Sequence, residues 1–457
     1  MKNNLFAEFT PISAKAWKQK IQVDLKGADY NKTLIWDTPE NIKVKPFYNH
    51  EDLSENGASP ATPNNWFIGQ VVSVSNSGQA NRCAHDLLSK GIESLIFSIH
   101  NNEVAPEILF KGIDLQHTPV YVHFESVSAA SIIPVLEFAG KHKGLIFVEL
   151  DPLGNLAKTG NWNIDEAQDL KALKDKLQNH PSGSLLQVDM TLYQNAGGHM
   201  VQQLAYGIAH AAEYLHRFHE LLKEAATPIT FQVSVGSNYF LEIAKLRALR
   251  LLWRSLAAEF GLETPCHIVA QPSRRNKTLY DYNVNMLRTT TECMSAVLGG
   301  ANTVVNMPYD AIYHKQNDFG DRIARNQLLI LKKESYFDKV GNAADGAYYI
   351  ESLTRQLAEK ALTLFKDIEA GGGWLTQLKN QTLQRKIRES SDREQSAYDS
   401  GKLVLVGSNK YPNSVDRMKE TIEKSPFLKK ESRKTVLEPI IEKRLAEKEE
   451  QERLDDE

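Results

Sequence analysis

Cysteine is scarce in this chain: three residues in 457, at Cys83, Cys266 and Cys293. That number and scatter exclude a disulfide scaffold and a cysteine-rich zinc site, and a reduced, cytoplasmic setting is the expectation. Long hydrophobic runs are missing as well. No stretch approaches the ~20 uncharged apolar residues that cross a bilayer. The first twenty residues lack the apolar core of a secretory signal. Charge of neither sign dominates, with 54 Lys and Arg against 57 Asp and Glu and a net charge of −3. A dedicated nucleic-acid binder carries a basic excess, which this chain does not have. Neither nucleic acid nor a membrane is therefore expected as a partner. The common catalytic signatures are absent too. The chain has no G-x-x-x-x-G-K-[ST] loop, no G-x-G-x-x-G after a strand, no H-E-x-x-H, no C-x-x-C and no G-x-S-x-G.

What is present is a regular alternation. The composition, 42% hydrophobic and 24% charged, is that of a globular protein. Runs rich in Val, Ile, Phe and Leu occur at Phe67–Val74, Ser94–Ile99, Pro119–Phe124, Gly144–Leu150, Leu185–Met190, Ile229–Val235, Cys266–Gln271 and Asn302–Met307. Continuous apolar runs suit strands buried on both faces of a parallel sheet. Helical stretches separate them, at Gln79–Lys90, Val127–His142, Asp165–Asn179, Val201–Lys223, Tyr239–Phe260 and Thr278–Leu298. Strand–helix alternation repeated through the chain predicts an α/β fold, a closed (β/α)₈ TIM barrel. Its expected limits are residues 66–375. Residues 1–65 read as an N-terminal helix, capped by Ser13, and an extended arm; residues 376–457 read as a charged helical extension.

In such a barrel, chemistry sits at the C-terminal ends of the strands. The polar residues there are His100, His123, Glu125, Glu149, Asp151, Asp189, Gln271 and Asn306. His123, Glu149, Asp151 and Asp189 are the barrel-mouth candidates, because carboxylates and imidazoles converging on one mouth can supply a general acid and base or ligate a metal. Helix capping and a wet rim explain the same residues without any chemistry. Arg274, Arg275 and Lys277 form a basic cluster after the seventh strand, suited either to an anion or to an exposed loop. Cys83 and Cys293 read as small buried packers.

Several longer segments carry more information. Thr38-Pro-Glu-Asn-Ile-Lys-Val-Lys-Pro-Phe-Tyr48, Gly236–Trp253, Tyr282–Gly300, Asp321–Leu331 and Gly346–Thr354 resemble, in order, segments of the methylmalonyl-CoA mutase family. That family interconverts methylmalonyl-CoA and succinyl-CoA with the radical of adenosylcobalamin. The resemblance implies a barrel through which the coenzyme A arm passes, and a separate domain that ligates cobalt through an Asp-x-His-x-x-Gly motif. No Asp-x-His occurs in these 457 residues. The catalytic pattern is also broken. The segment Ser54–Asn65, where the family carries a Tyr, has no aromatic residue; the catalytic His position reads Leu192; and the strand-seven His position reads Val269, although Gln271 is retained as a vestige of cofactor contact. His180–Leu186 contains no Arg to pair with a substrate carboxylate, and the ribose-binding carboxylate is lost around Asp310-Ala311. Leucine can neither donate a hydrogen bond to a thioester carbonyl nor polarise it.

The resemblance thus implies a non-catalytic small subunit of a heterodimeric mutase, with no cofactor or metal of its own. Adenosylcobalamin would sit in the large partner subunit, and the isolated chain could form a homodimer. The partner-facing candidates are the helix around Trp17 and Ile21 and the charged tail. The alternative is the acyl-CoA-binding half of a split mutase whose cobalamin domain is a separate chain.

Overall fold

The computed structural model describes all residues except 1–7, 11, 54–61, 64, 100–103, 125–129, 143, 181–183, 226–227 and 428–433. Eight strands, β1 (Phe67–Val74), β2 (Ser94–Ile99), β3 (Val120–Phe124), β4 (Ile146–Leu150), β5 (Ser184–Asp189), β6 (Thr230–Val235), β7 (His267–Pro272) and β8 (Thr303–Val305), close into one barrel. Every neighbouring pair runs parallel, and β8 closes on β1 with Thr303 opposite Phe67. The expected runs match β1 and β2 to the residue. The eighth is shorter than expected because Asn306 leaves the ladder, its amide donating to Ala324 O and to Gln327 Oε1 at 3.0 and 2.8 Å.

The apolar outward positions of the strands face a ring of helices. Ile68, Val72, Leu95, Phe97, Val122, Val148, Val188 and Phe231 are buried there with Leu246, Leu249 and Trp253 of the Tyr239–Glu259 helix. Inside, β1 and β8 approach closely at Gly69, where a Cβ would lie 2.8 Å from Thr303 Cγ2. The expected helix over Thr278–Leu298 begins only at Val284. Asn285 holds the six preceding residues in turns, accepting from Thr278 N and donating to Thr278 O at 3.1 and 2.8 Å.

Two flanking regions complete the chain. The N-terminal helix, Ala14–Asp24, is capped by Ser13 Oγ accepting from Ala16 N, and it has no buried residue. The helical extension expected over 376–457 is only partly helical. Helices span Gly373–Lys379, Thr382–Asp399 and Glu447–Asp455, and the described residues between 400 and 446 form none. The reason is that the tail backbone bonds to the barrel rim instead of to itself. Leu437 N, Ile440 N, Lys443 N and Leu445 N donate to Gly160 O, Ala157 O, Asn195 O and Arg275 O at 2.8–3.1 Å. Leu437, Ile440 and Leu445 are buried by this docking, whereas Ile441 is half exposed.

Candidate functional site

Side chains alternate across each strand, so every second residue points into the bore. The lowest inward layer is a closed polar knot. Tyr121 Oη meets His267 Nε2 at 2.7 Å and Thr303 Oγ1 at 2.8 Å. Phe147 stacks against the rings of both Tyr121 and His267, at centroid separations of 4.9 and 4.5 Å. Ile96, Val269 and Val305 pack on this stack, and all five members of the apolar cluster are buried. Desolvation pushes the His267 imidazole down to about 3, so it stays neutral as a hydrogen-bonding partner for Tyr121. Val269 therefore belongs to a buried plug of mixed polar and apolar side chains in the lower bore.

Above the plug the bore is polar. Ser98, His123 and Glu149 stand in register on β2, β3 and β4. His123 Nδ1 lies 3.9 Å from Glu149 Oε2, beyond hydrogen-bond reach, and Gln232 Nε2 of β6 donates to the same oxygen at 3.3 Å. Burial, reinforced by the nearby Asp189, pushes the Glu149 carboxyl up to about 8. Desolvation holds the His123 imidazole below its usual value. At neutral pH the centre of this layer is thus a protonated acid beside a neutral imidazole, and neither carries charge.

Of the four mouth candidates, the structure brings His123 and Glu149 together, with Asp189 on the next strand. Asp189 Oδ1 accepts from Thr191 N and Oγ1 at 2.9 and 2.5 Å, which starts the Thr191–Asn195 helix. Asp151 serves as a cap outside the bore. It accepts from Gly154 N, Asp189 N, His210 Nε2 and Tyr214 Oη at 2.6–2.9 Å. Burial opposes its ionisation, but His210 and the other donors hold the carboxyl below its ordinary range. Gln271 faces the bore on β7, half-buried, while Leu192 is packed in the main core. His100 and Glu125 lie outside the described residues.

The basic cluster after β7 turns inward rather than holding an anion. Arg275 is buried and bonds to Glu394 Oε2, Ser391 Oγ and Lys443 O at 2.5, 3.1 and 2.8 Å. Lys277 forms a buried pair with Glu292 at 2.7 Å. Only Arg274 is exposed. Cys83, expected to be buried, is exposed on its helix, whereas Cys266 and Cys293 are buried. A hollow of about 580 Å³ lies between the arm around Trp36 and Glu40, the rim loops and Leu403–Leu405. At its floor Lys245 Nζ bonds to Gln194, Gln203, Ser234 O and Glu242 at 2.6–2.9 Å, whereas the buried Glu40 Oε2 has no hydrogen-bond partner among the described residues.

Sequence reasoning missed Gln187, Gln232 and Ser234 of the polar layer and Tyr121, His267 and Thr303 of the plug. The signal was available as polar residues at alternate positions within β5 and β6, where burial on both faces favours apolar ones.

The protein-family comparison matches residues 102–456 to the model described as methylmalonyl-CoA mutase. The chain belongs to the methylmalonyl-CoA mutase family. It is 34% identical to the methylmalonyl-CoA mutase small subunit of Porphyromonas gingivalis, over 90% of this chain and 72% of that one. The large subunit of the same organism is 27% identical over 82% of this chain and 61% of its own length. The mutase of Cereibacter sphaeroides is 29% identical over 87% of this chain and 64% of that protein. Among solved structures, a Plasmodium falciparum HPPK-DHPS chain aligns at 11% identity with a TM-score of 0.31, over 59% of this chain and 46% of that one. The position implied for the catalytic imidazole is a core leucine, Leu192, and the tail backbone bonds to the rim loops after β4, β5 and β7.

Proposed function

We propose that this chain is the non-catalytic small subunit of a heterodimeric methylmalonyl-CoA mutase, and that it acts as the structural partner of a large, cobalamin-bearing subunit. The observation that carries this reading is the plug. A barrel that threads a coenzyme A arm along its axis needs an open bore, and here Tyr121, Phe147 and His267 stack across it. Buried polar groups without partners cost ~1–3 kcal/mol each. A barrel released from catalysis gains by packing such positions with apolar side chains, as at Leu192 and Val269. The similarity to a named small subunit, and a named large subunit from the same organism, support the partnership. The rival reading, the acyl-CoA-binding half of a split mutase, requires an open bore, and the plug is the observation that argues against it.

The partner face is read at the N-terminal helix. None of its residues is buried, Trp17 and Val23 are 50% and 72% exposed, and Trp17 touches Phe47 only edge-on at 5.8 Å. The test is co-expression of the tagged chain with a large mutase subunit. The expected outcome is a one-to-one complex whose turnover is unchanged by Gln271→Leu in this chain. Turnover by this chain alone, or its loss on that substitution, would overturn the reading.

A further inference from the structure

The upper bore holds a set of polar atoms that the described residues satisfy only in part. Glu149 Oε1 and Ser234 Oγ are buried without a hydrogen-bond partner among the described residues, and His123 Nδ1 and the Gln187 amide, which interact with each other, have no further one. They belong to inward positions of four consecutive strands, β3 to β6. Gln187 itself is fully buried. Of these side chains only His123 is open to solvent, at 39% exposure, while Glu149, Gln187 and Ser234 are sealed. Orphaned buried donors and acceptors at this density are costly, and they are ordinarily met by water or by a ligand.

The same layer fixes what could meet them. No lysine or arginine occurs in any of the eight strands, whereas β4 and β5 contribute Glu149 and Asp189. An anion entering the bore would meet Glu149 and Asp189 on the strands, with Lys158 of the Pro152–Thr159 helix as the nearby cation that His123 senses. The plug below limits the depth, so a long chain cannot pass. Glu149 keeps its proton up to about pH 8 and can donate as well as accept, as can the Gln187 amide.

We propose that the upper bore binds a small uncharged molecule carrying both hydrogen-bond donors and acceptors, and that it excludes carboxylates. This goes beyond a structural subunit role: the barrel becomes a receptor for a neutral ligand, with no turnover attached. The specificity is the opposite of that needed for a carboxylate-bearing acyl group.

Malonamide and malonate test this directly, since they share a skeleton and differ in charge. Saturation-transfer NMR on the full chain at pH 7 is expected to show transfer to malonamide and none to malonate. Binding of malonamide should weaken at least tenfold in Gln187→Leu, which replaces the buried amide with a methyl pair of similar size. Ser234→Ala, a milder change, should weaken it in the same direction and guards against misfolding of the first variant. Equal signals from the two probes, no malonamide signal (a bore that holds water only), or indifference to both substitutions would overturn the proposal.

Discussion

Glu149 is a carboxyl whose environment resists its charge, and it links the bore to stability. Burial and then Asp189 raise it from an ordinary 4.5 to about 8. The folded chain therefore holds a proton that the unfolded chain has released over that interval. The resulting stabilisation is fully present below pH ~4.5 and is lost as pH rises through about 8. Glu149→Gln is expected to remove this slope and to raise stability at pH 8.5 by ~2 kcal/mol or more, as read from urea melts at pH 6 and pH 8.5. Tyr121 gives a second expectation. Tyr121→Phe leaves His267 Nε2 and Thr303 Oγ1 without their shared hydroxyl. The cost should be ~1–3 kcal/mol in the same denaturation assay. Neither residue announces its role in the sequence. Position within a strand and strand parity placed His123 and Glu149 at the mouth, but they could not distinguish Asp151, which lies just past β4 and caps the Pro152–Thr159 helix.

At the scale of elements, the strands were legible and the tail was not. Strands buried on both faces write continuous apolar runs, and that signal is local. The tail carries the charge pattern of a solvated helix, but between 436 and 446 its backbone is committed to rim carbonyls that are distant in sequence. Pro439 removes one of the donors a helix would need. Arg444 anchors the segment: it pairs with Glu450 at 2.5 Å and donates to Lys277 O at 3.1 Å, with both charged side chains buried. Arg444→Ala strands the Glu450 charge, and the expected loss is ~3–5 kcal/mol together with faster proteolytic cleavage of the tail. Lys277 and Arg275 were misread for the same reason. Their partners, Glu292 and Glu394, come from elements that spacing alone does not bring near.

At the scale of the whole molecule, the fold and family were readable because barrel rhythm and the resembling segments extend over most of the chain. What the bore contains was not readable, because a plug is made by side chains from β2, β3, β4, β7 and β8 meeting across the axis. The N-terminal helix is the surface proposed for association. Trp17→Glu is expected to weaken capture of a large mutase subunit at least tenfold in a pull-down titration while leaving the melting of this chain alone unchanged. The central claim is that this barrel does not take an acyl-CoA. Calorimetric titration of the folded, isolated chain with methylmalonyl-CoA tests it most directly: the account predicts no binding heat, and saturable micromolar binding would contradict it.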